Sequence, residues 1–277
     1  MSDELRPAFN RLVYELRGYL PNIVVAGGWA PYLYHRYLFS QEGNEPIKTE
    51  DIDIVVPERL QISGGKTIDA VLSALGFKPI PSSPDSPLMT AYEGEIDGIE
   101  LQLEFLTHLR GSREDIAVLV QSGLSAQALR YTSILHENQT AVTINDFLID
   151  GALVDLRVNV PTPAAFVYNK GLVFPRRNSV HKRAKDLYYI FDILSFDYSN
   201  SRIDVASEVT ALASSYPDNW LKTLKGNLSK YFSSSHQGTD LVLSQKPIWA
   251  YTEMNDEQFK VFVGSIFNEF IKSLSKS

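Results

Sequence analysis

The chain has 277 residues, 44% hydrophobic and 21% charged, which are globular proportions that exclude wholesale disorder. It contains no cysteine, which removes disulfides, zinc–thiolate sites and cysteine nucleophiles and fits a reducing compartment. The net charge of −7 hides an asymmetry: residues 1–160 carry 12 Lys+Arg against 22 Asp+Glu, whereas residues 161–277 carry 14 against 11. An acidic half beside a basic half suits a polyanionic substrate held between them, with simple drift of surface charge as the plain alternative. No apolar run approaches the ~18 residues of a membrane span, and Met-Ser-Asp-Glu-Leu-Arg is not a secretory signal, so a cytoplasmic protein with no membrane partner is expected.

Leu5, Phe9, Leu12, Val13, Leu16 and Leu20 share one helical face, predicting an amphipathic helix over 3–20 that Pro21 ends. A strand over 22–26 runs into Gly27-Gly28, and a helix from Gly28 to about Phe39 follows with Pro31 in its first turn. Residues 40–48 read as a polar loop, 51–56 as a strand stopped by Pro57, and 67–75 as a helix capped by Gly76. After a Ser/Pro loop at 82–87, strands are expected at 88–93 and 99–106, joined by a hairpin turn at Asp97-Gly98. Further strands are placed at 116–120, 129–135 and 140–145, the last two turning at Glu137-Asn138. A hairpin at Asp150-Gly151 then leads into 152–159. Pro161 and Pro163 mark a change of character, with helices at 164–174 and 180–195, the latter capped by Asn178 or Ser179. The remainder reads as mostly helical, with Phe259, Val263, Phe267 and Phe270 at helical spacing. The expected architecture is an α/β (α+β) domain over 1–160, with a mixed, mostly antiparallel sheet flanked by helices, and a helical C-terminal domain over 161–277.

The chemistry concentrates between Ile23 and Val56. Gly27 and Gly28 end a buried strand and open a helix, where backbone N–H groups can cradle phosphate. About 25 residues on, Asp51 and Asp53 stand at i and i+2 of a strand, so both carboxylates face one way while Ile52 and Ile54 face the other. Like charges side by side cost free energy unless a cation sits between them, and oxygen-only donors suit Mg²⁺. Phosphate grip and metal pair together indicate a nucleoside triphosphate site. A third carboxylate would complete it: Glu104, sharing a strand face with Glu100 and Gln102, is the first choice, Glu100 the second and Asp155 the third. Two Mg²⁺ ions on three carboxylates would activate a hydroxyl and bridge the triphosphate. The bland alternative is that these carboxylates only solvate a sheet face. In the second half, Lys170, Arg176, Arg177, Lys182, Arg183 and Lys185 lie within a short basic stretch. Lys170, Arg177 and Lys185 are candidates for neutralising triphosphate or an RNA backbone, with Asp186 orienting one of them; a solvated basic helix would show the same composition.

Other features carry less. Trp29 reads as core, the five histidines lack metal-ligand spacing, and Gly64-Gly65-Lys66-Thr67 lacks the earlier glycine of a P-loop.

The Gly27-Gly28 pair followed by Asp51-Ile52-Asp53 resembles the polymerase-beta-type nucleotidyltransferase superfamily, over roughly residues 20–106. That resemblance implies that Gly27 and Gly28 hold nucleotide phosphates, that Asp51 and Asp53 bind the metals, and that Glu104 is the third ligand, although aspartate is commoner there. Lys170 and Lys185-Asp186 are further similar to the AbiE-type (AbiEii) toxin nucleotidyltransferases. The implied activity is transfer of an NMP from an NTP to a hydroxyl acceptor, either RNA (a tRNA 3′ end) or protein, by a toxin partnered by an antitoxin protein. An aminoglycoside-type small-molecule nucleotidyltransferase and a non-catalytic nucleotide- or partner-binding module are the alternatives.

Overall fold

A computed structural model describes residues 5–39, 51–81, 89–111, 116–200 (198–200 by backbone alone), 204–233, 235 and 237–274. The loops expected at 40–48 and 82–87 lie outside the described residues. The chain divides into two compact units, residues 1–161 and 162–277. Among the described residues no helix is long and apolar enough to cross a membrane.

The first unit is built on a mixed, mostly antiparallel sheet, as the strand pattern predicts. Strands β1 (Val24–Val25), β2 (Asp51–Val55), β5 (Ile99–His108), β4 (Ala91–Ile96) and β3 (Lys78–Ile80) lie in that spatial order, and β7 (Leu124–Leu129) also joins β5 and carries β6 (Ile116–Gln121). Among the described residues only the β2–β5 and β5–β7 pairings are parallel. Strand β5 is the central member because alternate residues Leu101, Leu103 and Phe105 are buried on one face. Helix α1 (Leu5–Glu15) packs against β4 and β5. Helix α2 (Trp29–Leu33) continues as one wider helical turn over Tyr34–Leu38. Trp29 is fully buried and stacks on Phe9 with ring centroids 3.8 Å apart, so it is core. Helix α3 (Ile68–Ala74) is capped by Thr67, whose side chain accepts from the Ala70 N–H at 3.1 Å. A separate ribbon pairs β8 (Gln139–Ile149) with β9 (Ala152–Pro161).

The two expected hairpin turns form. Asp97-Gly98 and Asp150-Gly151 all have positive φ, the backbone that two-residue hairpin turns of this twist require. The expected strand over 129–135 does not exist. Gly123, at φ +80°, turns the chain straight from β6 into β7, and residues 132–137 form a short helix, α4 (Thr132–Glu137). Its run Thr132–Leu135 is wholly buried, so it shows no alternation to separate strand from helix. The expected turn at Glu137-Asn138 is accordingly the end of α4 rather than a hairpin, and β3 was not signalled because Pro79 lies inside it. The N-terminal helix also stops at Glu15, earlier than Pro21 demands.

The regular structure among the described residues of the second unit is helical. Helix α5 (Pro163–Val173) starts with Pro163 behind a Thr162 cap and is buried on nearly every side, which makes it the central helix. Around it lie α6 (Val180–Asn200), α7 (Val205–Ala213), α8 (Asp218–Phe232), α9 (Gln237–Leu243) and α10 (Asp256–Ser273). Ser179 caps α6 by accepting from the Lys182 N–H at 3.3 Å. Phe259, Val263, Phe267 and Phe270 of α10 are all buried, and Phe267 stacks on Phe232 at 3.7 Å.

One close approach in the first unit is testable. A Cβ on Gly94 would lie 2.5 Å from the Phe77 ring, which fills the slot beside β4. Gly94→Ala should lower stability by about 1–3 kcal/mol through overpacking, measured by denaturant unfolding.

Candidate active site

The parallel register of β2 and β5 decides what stands on each side of the sheet. Asp51 pairs with Gln102, Asp53 with Glu104 and Val55 with Leu106. On the other flank of β5, antiparallel pairing sets Glu93 opposite Gln102 and Glu95 opposite Glu100. Residues paired directly across strands project to the same face. Asp51, Asp53, Glu93, Glu95, Glu100 and Glu104 therefore share one face, and Ile52, Ile54, Tyr92, Leu101, Leu103 and Phe105 are buried on the other.

The acidic face has a sharp apolar margin. Val55 and Leu106 pack into a cluster with Val24, Ala26 and Leu135. One alternation earlier come Asp53 and Glu104, both half-buried, and then the exposed Asp51. Glu104 accepts a hydrogen bond from the Gln102 side-chain amide at 3.3 Å. Glu100 is exposed opposite Glu95, and Asp155 lies on β9, outside this sheet.

Gly27 and Gly28 perform different tasks. Gly27 has φ +57°, and a Cβ there would lie 2.0 Å from Oδ2 of Asp53. The neighbouring Ala26 N–H donates to the Asp53 carbonyl at 2.8 Å, which fixes this approach. Only a bare α-carbon can lie against that carboxylate. Gly28 has an ordinary right-handed φ of −72° and occupies the first cap of α2.

Oxygen-only donors fit a hard cation. Among the described residues no three His, Asp or Glu side chains converge into a metal cage. That is compatible with Mg²⁺, which typically takes one or two protein carboxylates and completes its shell with water and substrate phosphates. The residues that would hold it are Asp51 and Asp53, with Glu104 in register beside Asp53.

The second unit gathers cations around one carboxylate. Asp186 is 3% exposed; its Oδ1 accepts from Lys170 Nζ at 2.6 Å and its Oδ2 from Arg177 Nε at 2.8 Å. Burial pushes this carboxyl up, but the Lys170 and Arg177 charges and their hydrogen bonds outweigh it and hold it below the usual carboxylate range. Lys170 also lies over the Phe166 and Tyr189 rings at 5.5 and 5.8 Å, and Lys185 over Tyr189 at 6.0 Å. Asp186 thus engages two cations rather than the one expected from sequence.

Two features went unassigned in the sequence. Glu93 and Glu95 could have been placed there, because the Asp97-Gly98 turn fixes the register that sets them opposite Gln102 and Glu100. Arg183 was only one basic residue among six. In the fold it is half-buried, and its Nη2 donates to the Arg177 carbonyl at 3.0 Å.

Asp186→Asn should destabilise the second unit by about 3–5 kcal/mol, since it leaves two cations without their shared carboxylate. The folded-state pKa is lowered, so the charged carboxylate's contribution is present above the unfolded value near ~4 and is lost as pH falls through the folded one. Urea unfolding should show a constant gap between wild type and variant near neutrality that closes in acid.

Residues 16–197 match the family model described as Nucleotidyltransferase, a span that includes the Gly27 turn, both strand carboxylates, Lys170, Arg177 and Asp186. No curated protein matches the chain. Among solved structures, the crystal structure of an antigenic nucleotidyltransferase-like protein from Paracoccidioides brasiliensis is similar at 19% identity, covering 81% of this chain and 93% of that one with a TM-score of 0.35. The matched span exceeds half of the sequence, and the chain belongs to the nucleotidyltransferase family.

Proposed function

We propose that the protein transfers a nucleoside monophosphate from an NTP to a hydroxyl of an RNA acceptor, such as a tRNA 3′ end, releasing pyrophosphate. Family membership implies the NTP, and members typically use Mg²⁺. The observation that carries the reading is the bare Gly27 α-carbon set against Asp53, with Asp51 on the same strand face. A binding module has no need to crowd carboxylates in this way, because unneutralised like charges only cost free energy.

In this reading Asp51 and Asp53 hold the metal, and Glu104 supports Asp53 from the next strand. Bound Mg²⁺ would supply charge neutralisation on the triphosphate and lower the pKa of the attacking hydroxyl. The acceptor oxygen bonds to the α-phosphorus, the bond from that phosphorus to the α–β bridging oxygen breaks, and a carboxylate of the pair takes the hydroxyl proton. Gly27, lacking a Cβ, lets the backbone lie close to the Asp53 carboxylate. In the second unit, Lys170, Arg177 and Lys185 form a cationic cluster suited to phosphate, with Asp186 holding the first two in place; preorganised cations act most strongly where charge develops. The basic stretch 176–185 supports a polyanionic acceptor. Capping of tRNA ends would halt translation, which is the toxin role implied by the AbiE-type resemblance.

A second reading concerns the acceptor alone. Glu93, Glu95 and Glu100 enlarge the acidic face beyond what a metal needs, as a polycationic small molecule of the aminoglycoside type would require.

The test is incubation with each α-³²P-labelled NTP, Mg²⁺, total RNA and cell protein, with and without an aminoglycoside, beside Asp51→Ala/Asp53→Ala. Label should enter RNA and vanish in the variant, which should remain folded. Label in protein or in the aminoglycoside would reassign the acceptor, and wild-type incorporation by the double variant would overturn the enzyme reading.

A further inference from the structure

We propose that Trp249 is a base-stacking residue and that its ligand is a single-stranded stretch of RNA. The proposal deepens the acceptor reading above and rests on it for the choice of RNA; the surface itself belongs to the second unit alone.

Ile248 and Trp249 form the tip of a built turn. The Ala250 N–H donates to the Pro247 carbonyl at 3.1 Å, which closes a four-residue turn with Ile248 and Trp249 at its two central positions. They are 92% and 58% exposed. Trp29 is fully buried and Trp220 is half-buried in a stack on Tyr216 at 5.3 Å, so Trp249 is the exposed one of the three tryptophans. Two large apolar side chains left in water forgo the stabilisation that burial would bring.

A loose loop does not explain this exposure. Tyr251, two residues on, has φ +54°, a left-handed backbone that a bulky residue rarely adopts. Its hydroxyl lies 3.0 Å from that of Ser195 on α6, and its ring meets Phe191 and Phe259 at 5.6 and 5.2 Å. On the other side of the turn, Gln245 Nε2 lies 3.4 Å from His181 Nδ1, and Lys246 Nζ sits over the Phe259 ring at 5.3 Å. The turn is thus tied to α6 and α10 from both sides. Strained backbone held by its surroundings in this way is characteristic of ligand clamps.

Charge selects the ligand. The Gln245–His181 contact sets the turn beside the start of α6. There residues 176–185 hold five Lys/Arg and no carboxylate, and the Asp186 that follows is buried against Lys170 and Arg177. His181 and Lys182 are exposed. Within 244–254 the charges of Lys246 and Glu253 cancel. An exposed aromatic beside a run of cations suits single-stranded nucleic acid, whose bases stack on the ring while its phosphates meet the cations. A duplex keeps its base faces stacked on one another and offers the ring nothing. A protein partner would explain the apolar tip and leave the neighbouring cations without a task.

The experiment uses the full chain and its Trp249→Ala, Trp249→Leu and Trp249→Phe variants, with a short single-stranded RNA and its duplex as probes. Single-stranded RNA should quench the tryptophan fluorescence of wild type, and the duplex should not. In anisotropy titrations, Trp249→Ala should bind the single strand about fivefold to a hundredfold more weakly, at an unchanged melting temperature. Trp249→Leu, apolar but without a ring, should be as weak as Ala, and Trp249→Phe should restore part of the affinity. In turnover, KM for the RNA acceptor should rise by a similar factor while KM for NTP stays unchanged.

Wild-type affinity in Trp249→Ala or Trp249→Leu would overturn the proposal, as would a wild type that binds no single-stranded RNA. A wild-type dimer that Trp249→Ala dissociates, with RNA affinity unchanged, would assign the tip to a second copy of the chain and also overturn it. Should Trp249→Ala fail to fold, the other two variants decide: tighter binding by Phe than by Leu supports stacking, and equal binding removes it. Failure of the transferase reading looks different. No label would then enter RNA, while single-stranded RNA would still quench Trp249.

Discussion

The parallel register between β2 and β5 is the constraint on which the rest of the first unit depends. It sets Asp53 beside Glu104 and, through the same alternation, sends Ile52, Ile54, Leu101, Leu103 and Phe105 to the core. A slip of one residue would put every carboxylate in the core and every apolar side chain in water. The magnitudes show why the register holds despite charge crowding. Adjacent carboxylates near water repel by about 1 kcal/mol per pair at short range. Each large apolar side chain buried on the opposite face contributes about 1.5–3 kcal/mol. Burial wins, so the sheet can carry an acidic face as long as its other face stays wholly apolar.

Gly27 then turns a strand carboxylate into a positioned one. A side chain on a strand normally chooses among staggered rotamers. Here the Gly27 backbone lies so near Oδ2 of Asp53 that the carboxylate and the turn define each other's place. The apolar margin formed by Val55, Leu106, Val24, Ala26 and Leu135 supports the same point from the side. Asp51, two residues further from that margin, is exposed. The pair is therefore asymmetric, one carboxylate half-buried against the turn and one exposed, which suits a metal site shared with a substrate.

Much of this was legible in the sequence because it depends on local rules. Alternation placed Asp51 with Asp53, and Asp-Gly dipeptides marked both hairpins. Helical spacing assigned the buried face of α10. Residues 129–137 were not legible: a short, fully buried run carries no periodicity, and what decides between strand and helix there is tertiary packing. The ion pairing of the basic stretch was hidden for a related reason. Composition showed six basic residues together, but which of them has a counter-ion depends on where Asp186 points across two helices.

The second unit handles charge in the opposite way from the first. The acidic face spreads six carboxylates along three strands, with Glu104 turned to the Gln102 amide. The basic cluster is instead organised around a buried anion, with Asp186 binding Lys170 through one oxygen and Arg177 through the other. One negative charge between two positive ones leaves the cluster cationic while removing the conformational freedom of two long side chains, which is the larger part of what a loose lysine or arginine loses on meeting phosphate. Preorganisation of this kind costs stability unless the pairing is good, and the two short contacts to Asp186 supply it. Arg183 is held by its contact with the Arg177 backbone and reaches no carboxylate among the described residues.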